Sequence, residues 1–269
     1  MNYDPIKYSL GKVFNAAPWL RKLFYAMLNV LLLRTWHIRK QFKLWAKTAP
    51  ADARLLDAGA GYGQYVYYMS KFSKSWKITG VDLKQEQIDD CSRFFTRIGK
   101  GQQVQFVAGD LTKFIASEAQ DFILCVDVME HIEEDETVFR NFRQSLKSGG
   151  TLLISTPSDK GGSDVHHHSD ESFVGEHVRD GYNIDDISTK LKNAGFRQVS
   201  AYYSYGTPGN IAWKLSMKYP ILMLNCSKLF FILLPFYYCV VFPWCLLLNY
   251  FDTKMTHERG TGLIVTAIV

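Results

Sequence analysis

Short apolar runs alternate with helix-length amphipathic segments through residues 53–156, and this alternation constrains the fold more than any other feature of the chain. One run, Phe122–Val128, is almost entirely apolar, as expected of a strand that is buried on both faces. Strands joined by helices form crossover units, which build parallel sheets with helices on both faces. The sequence therefore predicts five strands of a doubly wound sheet, at Ala53–Leu56, Lys77–Leu83, Val104–Ala108, Phe122–Val128 and Thr151–Ser155.

Four segments of the same region and of the part that follows have helical spacing: Gln64–Lys74, Gln85–Ile98, Glu136–Lys147 with a stop at Gly149-Gly150, and Asn183–Ala194. Two more strands are predicted at Gln198–Tyr205 and Gly262–Val269. The fold class is thus α/β, a Rossmann-like, mostly parallel seven-stranded sheet with an N-terminal helical arm and an apolar helical insertion before the last strand. We expect the arm at residues 1–48, the sheet domain at 49–207 plus 259–269, and the insertion at 208–258.

The arm is strongly basic, with nine Lys or Arg residues against the single acid Asp4, whereas the rest of the chain is slightly acidic. It is predicted to be helical, with an interruption near Pro18. Apolar residues recur in it at helical spacing, at Trp19, Leu20, Leu23, Phe24, Met27, Leu28, Leu31 and Leu32. A basic amphipathic helix with aromatic anchors is typical of proteins that bind an anionic membrane surface, so we expect a lipid partner and not nucleic acid.

The insertion contains 23 residues without a charge, Leu229–Phe251, which as a helix would measure about 34 Å. A single crossing of the membrane conflicts with the two flanking strands belonging to one sheet, so we expect a re-entrant or surface-lying hairpin, interrupted at Pro235 and Pro243. The alternative is a cap or a homodimer interface. The five cysteines include no C-x-x-C pair, which favours a reducing compartment. We expect a cytoplasmic protein, peripheral or monotopic on the cytoplasmic face of the membrane.

A glycine-rich turn follows the first predicted strand, in the sequence Leu55–Gly63. Glycines at such a turn let the backbone approach a ligand, and acids follow this strand and the next three, at Asp57, Asp82, Asp110 and Asp127. The carboxyl ends of parallel strands form the crevice in which open α/β sheets bind ligands. A dinucleotide fingerprint would require a third glycine where Gln64 stands, and no Walker lysine follows.

The pattern D-x-G-x-G-x-G resembles motif I of the class I S-adenosylmethionine-dependent methyltransferases, and the resemblance covers Leu55–Pro157. Asp127–Ile132 resembles the motif after the fourth strand in the quinone-biosynthesis branch. The resemblance implies S-adenosyl-L-methionine as cofactor and S-adenosyl-L-homocysteine as product. It also implies the cofactor-binding residues, with Asp57 near the methionine and ribose, Asp82 on the ribose hydroxyls and Asp110 on the adenine: Asp57, Ala58, Gly59, Gly61, Gly63, Asp82, Leu83, Asp110, Leu111, Asp127 and Val128.

His131 is the candidate catalytic base, because it lies in the loop after the fourth strand and histidine is the side chain best suited to transfer protons near neutral pH. The alternative is a histidine that only supports the loop. The long loop Ser158–Tyr182 contains His166-His167-His168, but consecutive histidines point in different directions, so no metal site is predicted. Candidate acceptor-binding residues are Glu130, His131, His167, Arg179 and Tyr182, although for Tyr182 by itself a loop packed by its aromatic ring is the favoured interpretation.

Together these features favour a methyltransferase that acts on a hydrophobic or lipidic small molecule, such as a quinone precursor, at a membrane surface. Methylation of a soluble small molecule remains open if the insertion forms a dimer interface or an active-site cap. Two alternatives of other classes are an NAD-dependent oxidoreductase and a catalytically idle cofactor-binding scaffold.

Overall fold

The computed structural model describes residues 17–161, 178–227 and 229–269. Seven strands form one sheet in the order β3-β2-β1-β4-β5-β7-β6. Strands β1 to β5 pair in parallel, whereas β7 is antiparallel to both of its neighbours. This arrangement confirms the predicted Rossmann-like fold. The strands are β1 (Arg54–Ala58), β2 (Lys77–Asp82), β3 (Val104–Ala108), β4 (Gln120–Val126), β5 (Leu146–Pro157), β6 (Gln198–Ser204) and β7 (Gly262–Ile268).

Helices cover both faces of the sheet. Within the described ranges they are α1 (Pro18–Leu31), α2 (Leu33–Ala46), α3 (Gln64–Met69), α4 (Gln85–Arg97), α5 (Asp135–Ser145), α6 (Ile184–Asn193), α7 (Thr207–Trp213), α8 (Tyr219–Cys226) and α9 (Phe230–Lys254). The arm helices α1 and α2 pack with α3 and α4 on one face, around Phe42 and Phe122. Helices α5 and α6 pack on the other face, around Phe139. Burying each such ring stabilises the fold by about 1.5–3 kcal/mol.

Helix α1 begins at Pro18, where an interruption was predicted, and the preceding Ala17 is extended, with φ −144° and ψ 144°. Residues 1–16 lie outside the described part of the chain, and a second break, which was not predicted, lies at Leu32. Pro18 occupies the first turn of α1, where a proline has no helical hydrogen bond to lose. Leu32 has an extended backbone, with φ −92° and ψ 111°, and separates α1 from α2.

Strand β5 begins earlier than predicted and includes the glycine pair that was expected to end a helix. Helix α5 stops at Ser145, and β5 starts at Leu146. The amide of Gly149 donates to the carbonyl of Val269 at 3.1 Å, and the amide of Val269 donates to Gly150 at 3.1 Å. The end of the chain therefore lies against this segment, and these hydrogen bonds hold it extended. Helix α3 is also shorter than predicted, ending at Met69, and the other bounds differ by one or two residues.

The prolines do not interrupt the insertion, contrary to the prediction: Pro235 and Pro243 both lie inside the single helix α9. Each proline removes one backbone hydrogen bond from α9. Hydrogen bonds between α9 and the segment before α8 support the helix instead. The hydroxyls of Tyr237 and Tyr238 donate to the carbonyls of Leu215 and Ser216, at 2.7 and 2.8 Å. In the described part of the chain, α9 is the one helix long and apolar enough to cross a membrane by length and composition, and most of its apolar stretch is exposed.

Asp252, near the end of α9, joins the arm and the insertion to the sheet. Its side chain is fully buried, and its carboxylate accepts hydrogen bonds from His37 Nε2 at 2.9 Å, the Gly209 amide at 3.0 Å and the Tyr205 amide at 3.2 Å. His257 Nε2 lies 3.2 Å from the same carboxylate. Burial alone would raise the pKa of Asp252, but His37 and the other donors outweigh it and lower the pKa.

We predict that Asp252→Ala lowers the free energy of unfolding by about 2–4 kcal/mol, because it leaves His37 and two buried amides without an acceptor. Urea unfolding at pH 7.5 measures the change. Asp186→Ala is the control, since Asp186 is exposed on α6 and forms a surface ion pair with Lys190, and we expect a change within about 0.5 kcal/mol. A loss below 1 kcal/mol for Asp252→Ala would show that the arm and insertion are held by other contacts.

Candidate active site

The glycine loop after β1 lies tightly against the neighbouring strand and the segment after β4. The amides of Gly59 and Ala60 both donate to the carbonyl of Val81 at 2.8 Å. Gly59 has φ +82°, and a Cβ added there would lie 2.2 Å from Val128 Cγ2. Only glycine fits both the backbone conformation and the space at this position. The loop therefore presents bare backbone to the crevice at the carboxyl ends of β1, β2 and β4.

Asp82 holds the glycine loop as well as facing the crevice. Its carboxylate accepts the Gly61 amide at 2.8 Å and the Lys84 amide at 3.0 Å. A carboxylate has about four lone-pair positions, so capacity remains for further donors such as a ribose diol. Leu83 follows and is 73% exposed, so this half of the crevice is open. Asp110 lies after β3 and accepts the amide and hydroxyl of Thr112, which lower its pKa against a smaller burial effect.

Asp57 is buried, 1% exposed, and its Oδ2 atom has no hydrogen-bond partner. Burial and the charge of Asp82 raise the pKa of Asp57 to about 7, although the Val66 amide partly opposes them. A buried carboxylate with an unsatisfied oxygen is matched by a cationic donor. An amino-acid ammonium group, such as that of S-adenosylmethionine, would donate a hydrogen bond to this oxygen and balance its negative charge. A neutral ligand would not balance the charge.

Asp127 forms an ion pair with Arg34, a residue of the first turn of α2. Burial alone would lower the pKa of Arg34, but Asp127, Tyr65 and Tyr205 together outweigh it and raise the pKa. Arg34 is one of the nine basic residues of the arm, which the sequence led us to expect at a membrane surface, and the structure instead pairs it with Asp127 at the crevice. No local pattern could have revealed this, because the two residues meet only through the packing of the arm on the sheet.

Glu130 and His131 lie in a 3₁₀ turn, Met129–His131, directly after β4. Glu130 is buried and accepts the Thr156 hydroxyl at 3.0 Å. Burial and Asp127 raise the pKa of Glu130 to about 8, so it holds its proton at neutral pH. Because its side chain is 1% exposed, Glu130 lies beneath the crevice and does not face solvent. His131 is partly exposed at the crevice, and its role as a base stays a prediction.

Arg179 and Tyr182, two of the predicted acceptor-binding residues, lie against the segment after β4 and the start of α5. Arg179 pairs with Asp135 and donates to the Glu133 carbonyl at 3.2 Å. Tyr182 is buried, and its hydroxyl donates to Asp135 at 2.8 Å. Both side chains bond to Asp135 at the start of α5, which agrees with the packing interpretation of Tyr182, and the acceptor-binding role of both residues stays a prediction. His167 lies outside the described residues.

The remaining predicted cofactor residues line the floor and rim of the crevice: Ala58 and Leu111 are buried, Gly63 begins α3 with φ +75°, and Val128 covers Gly59. Among the described residues, no group of three or more His, Cys, Asp or Glu side chains could hold a metal ion. A cavity of about 540 Å³ lies at the opposite edge of the sheet, near Trp45, Asp121 and Lys147. It is therefore separate from this site.

Comparison with known proteins agrees with this geometry. Residues 56–154, from β1 into β5, match the family described as a methyltransferase domain. The chain carries a class I S-adenosylmethionine-dependent methyltransferase domain. The resemblance drawn from the sequence motifs is thereby confirmed, and the NAD-dependent oxidoreductase alternative is set aside.

The similar proteins include several methyltransferases. Phosphoethanolamine N-methyltransferase 1 of Triticum aestivum is 31% identical over 155 residues, which are 56% of this chain and 30% of the relative. Ubiquinone biosynthesis O-methyltransferase of Xanthomonas axonopodis pv. citri is 29% identical over 113 residues, 41% of this chain and 46% of the relative. The chain thus spans less than half the length of these relatives.

Among solved structures, Haemonchus contortus phosphoethanolamine N-methyltransferase 2 with phosphomonomethylethanolamine and S-adenosylhomocysteine has a TM-score of 0.58. It shares 18% identity, over 86% of this chain and 52% of that one. At this identity the match shows a shared fold.

We predict that Asp57→Asn stabilises the protein without cofactor by roughly 2–4 kcal/mol at pH 8. The folded-state pKa of about 7 lies above the ordinary value, so the wild type loses stability as the pH rises from about 4 to 7, and the asparagine does not. Urea unfolding at pH 8 and pH 5 measures this gain, which shrinks at pH 5. Asp110→Asn is the control and gains nothing, because the pKa of Asp110 is lowered. A destabilised Asp57→Asn protein would contradict the absence of a partner at Asp57 Oδ2.

Proposed function

We propose that the protein is an S-adenosylmethionine-dependent methyltransferase that acts on a hydrophobic or lipidic small molecule at the cytoplasmic face of a membrane. The observation that carries the proposal is the place where the apolar insertion leaves the sheet. It begins at Thr207, directly after β6, and returns to Gly262 at the start of β7.

The topology puts both of these points beside the crevice. Strand β4 is parallel to β5, and β7 is antiparallel to both β5 and β6. The carboxyl end of β6 and the amino end of β7 therefore lie at the same edge of the sheet as the carboxyl ends of β1 and β4. The insertion thus rises from the edge that carries Asp57, Asp82 and Asp127.

The chain's own residues would hold the cofactor in a definite order along the crevice. Asp57 would receive the ammonium group, the backbone of Gly59–Gly61 would face the methionine and ribose, Asp82 would take the ribose hydroxyls and Asp110 the adenine. The bound cofactor supplies an activated methyl group on a sulfonium. The protein then contributes orientation and, through His131, a path for the acceptor's proton where the acceptor is a phenol or an acidic carbon.

The exposed surface of the insertion supports a membrane partner. Its outward side chains are large and apolar: Trp213, Tyr219, Leu222, Leu229, Phe231, Ile232, Leu233, Phe236, Val240 and Trp244. Lys214 is exposed beside them, and between residues 205 and 254 the one acid is the buried Asp252. An apolar surface with cations and no exposed acid fits anionic lipid.

The similar proteins support an acceptor linked to lipid or quinone synthesis, since one is named for phosphoethanolamine and another for ubiquinone biosynthesis. A second candidate is a methyltransferase of a soluble molecule whose insertion is buried in a homodimer. The size of the exposed apolar surface favours neither lipid nor a second copy by itself. The absence of acids on that surface favours lipid.

We predict that S-adenosylhomocysteine binds about tenfold more weakly at pH 6 than at pH 8. Its ammonium group requires ionised Asp57, whose pKa is about 7 without ligand, so about one molecule in eleven is competent at pH 6. Calorimetry at the two pH values measures this change, and Asp57→Asn serves as control because it binds weakly at both. An affinity independent of pH in the wild type would show that Asp57 does not hold the cofactor's charge.

We predict that the full-length protein sediments with phosphatidylglycerol vesicles and that 1 M salt releases only part of it. Each lysine near an anionic surface contributes about 1 kcal/mol and is screened by salt, whereas apolar contacts are not. The triple variant Phe231→Ser, Phe236→Ser, Trp244→Ser should stay in the supernatant in high salt. The control Lys22→Gln, Lys43→Gln, Lys47→Gln, at exposed arm positions, should lose the salt-sensitive part alone. A wild-type protein that is a dimer in solution and stays in the supernatant when vesicles are added would favour the soluble alternative.

A further inference from the structure

The two halves of the crevice differ in access. The half expected to hold adenosine is open, since Leu83 is exposed and Asp110 is partly exposed. The other half, around Asp57 and Glu130, is buried. The arm covers it, because α1 and the first turn of α2 lie across the glycine loop and the segment after β4.

Polar contacts hold the arm in this position. Arg21 Nη2 donates to the carbonyl of Tyr62 in the glycine loop at 2.8 Å, and the Tyr25 hydroxyl donates to the same carbonyl. Gln64 Nε2 donates to Asn29 Oδ1 at 3.1 Å. At the other end of the crevice, Arg34 pairs with Asp127. These contacts join the arm to the glycine loop on one side of the covered half and to the segment after β4 on the other.

The closed arrangement contains strained and unsatisfied groups. Among the described residues, two that are not glycine have positive φ, Asp127 at 49° and Tyr205 at 55°. Both contact Arg34, Asp127 through the ion pair and Tyr205 by accepting the Arg34 amide at 3.1 Å. Arg34 Nε and Asp57 Oδ2 are buried there without partners. Such groups persist where surrounding contacts hold them and are typical of sites that change state.

The outer face of α1 is apolar and exposed to solvent. Trp19, Leu23, Met27 and Val30 recur at helical spacing and are exposed. Lys22 is exposed beside them, and no acid occurs between residues 5 and 51. Charge complementarity therefore points to an anionic lipid surface as the occupant. The extended residue Leu32 separates α1 from α2 and provides a point about which α1 can turn.

The same region is connected to the long apolar helix. Asp252 of α9 accepts the Tyr205 amide at 3.2 Å, and the Tyr205 hydroxyl accepts the Arg34 amide. His37 on α2 bonds to the same carboxylate. Helix α9 is therefore connected through Tyr205 to Arg34, which lies in the first turn of α2 at the closed end of the crevice and follows α1 along the chain.

Building on the function proposed above, we propose that α1 and the first turn of α2 form a lid over the methyl-transfer half of the crevice. Binding of the outer face of α1 to anionic lipid opens this lid. The site then becomes accessible where the hydrophobic acceptor is dissolved, and remains covered while the protein is in water.

The association rate of S-adenosylhomocysteine, measured by stopped flow with and without phosphatidylglycerol vesicles, tests the lid. We expect vesicles to raise the rate at least fivefold for the wild type. The double variant Trp19→Ser, Leu23→Ser should still sediment through α9 but show less than a 1.5-fold rise. Arg34→Gln should associate rapidly in both conditions, within twofold, and Arg140→Gln, an exposed charge on α5, should behave as the wild type.

A wild-type rate that vesicles leave unchanged would overturn the lid, as would a double variant stimulated as strongly as the wild type. If Arg34→Gln fails to fold, the double variant by itself tests the lid, because Trp19 and Leu23 are exposed and are not needed for the core. These failures differ from failure of the proposed function. A protein that binds no S-adenosylhomocysteine under any condition is not the proposed enzyme, whereas one that binds it at a vesicle-independent rate and sediments with vesicles retains that function without the lid.

Discussion

The buried carboxylate of Asp252 is the interaction on which the arrangement of the other parts depends. It is an acid at the end of a long, exposed, apolar helix, and it accepts hydrogen bonds from α2, α7 and the end of β6. Burying a charge in this way is unfavourable unless donors surround it. The donors come from three separate segments, so the carboxylate fixes the arm, the insertion and the sheet relative to one another. Through Tyr205 it also fixes Arg34, and through Arg34 the covered end of the crevice.

The crevice combines a rigid backbone with an electrostatic requirement that its ligand must meet. The glycine loop is held by Val81 and Asp82, so its shape exists before a ligand binds. Asp57 beside it is buried with an unpartnered oxygen. The unpaired buried charge lowers the stability of the folded protein, and a cationic ligand that pairs with Asp57 removes this destabilisation. Function and stability therefore oppose each other at this residue, as is common where a site is organised in advance.

The sheet and its ligand edge could be predicted because their signals are local. Strand β4 contains the continuous apolar run Phe122–Val126, and D-x-G-x-G-x-G places glycines where the backbone needs positive φ. The errors have a different origin. Arg34 meets Asp127 and Gly149 meets Val269 only after distant segments have packed together. The uninterrupted α9 is a similar case, since the tyrosine bonds that support it come from a preceding segment. Hydrophobic periodicity carries no information about such pairs.

The central claim is that this crevice transfers a methyl group to a molecule that resides in a membrane. Incubating the full-length protein with S-adenosylmethionine labelled in its methyl group and vesicles made from a cell lipid extract tests it most directly. Label should appear in the organic phase after extraction, and Asp57→Asn should abolish it. Label confined to the aqueous phase when soluble metabolites are supplied, with none in the lipids, would contradict the claim.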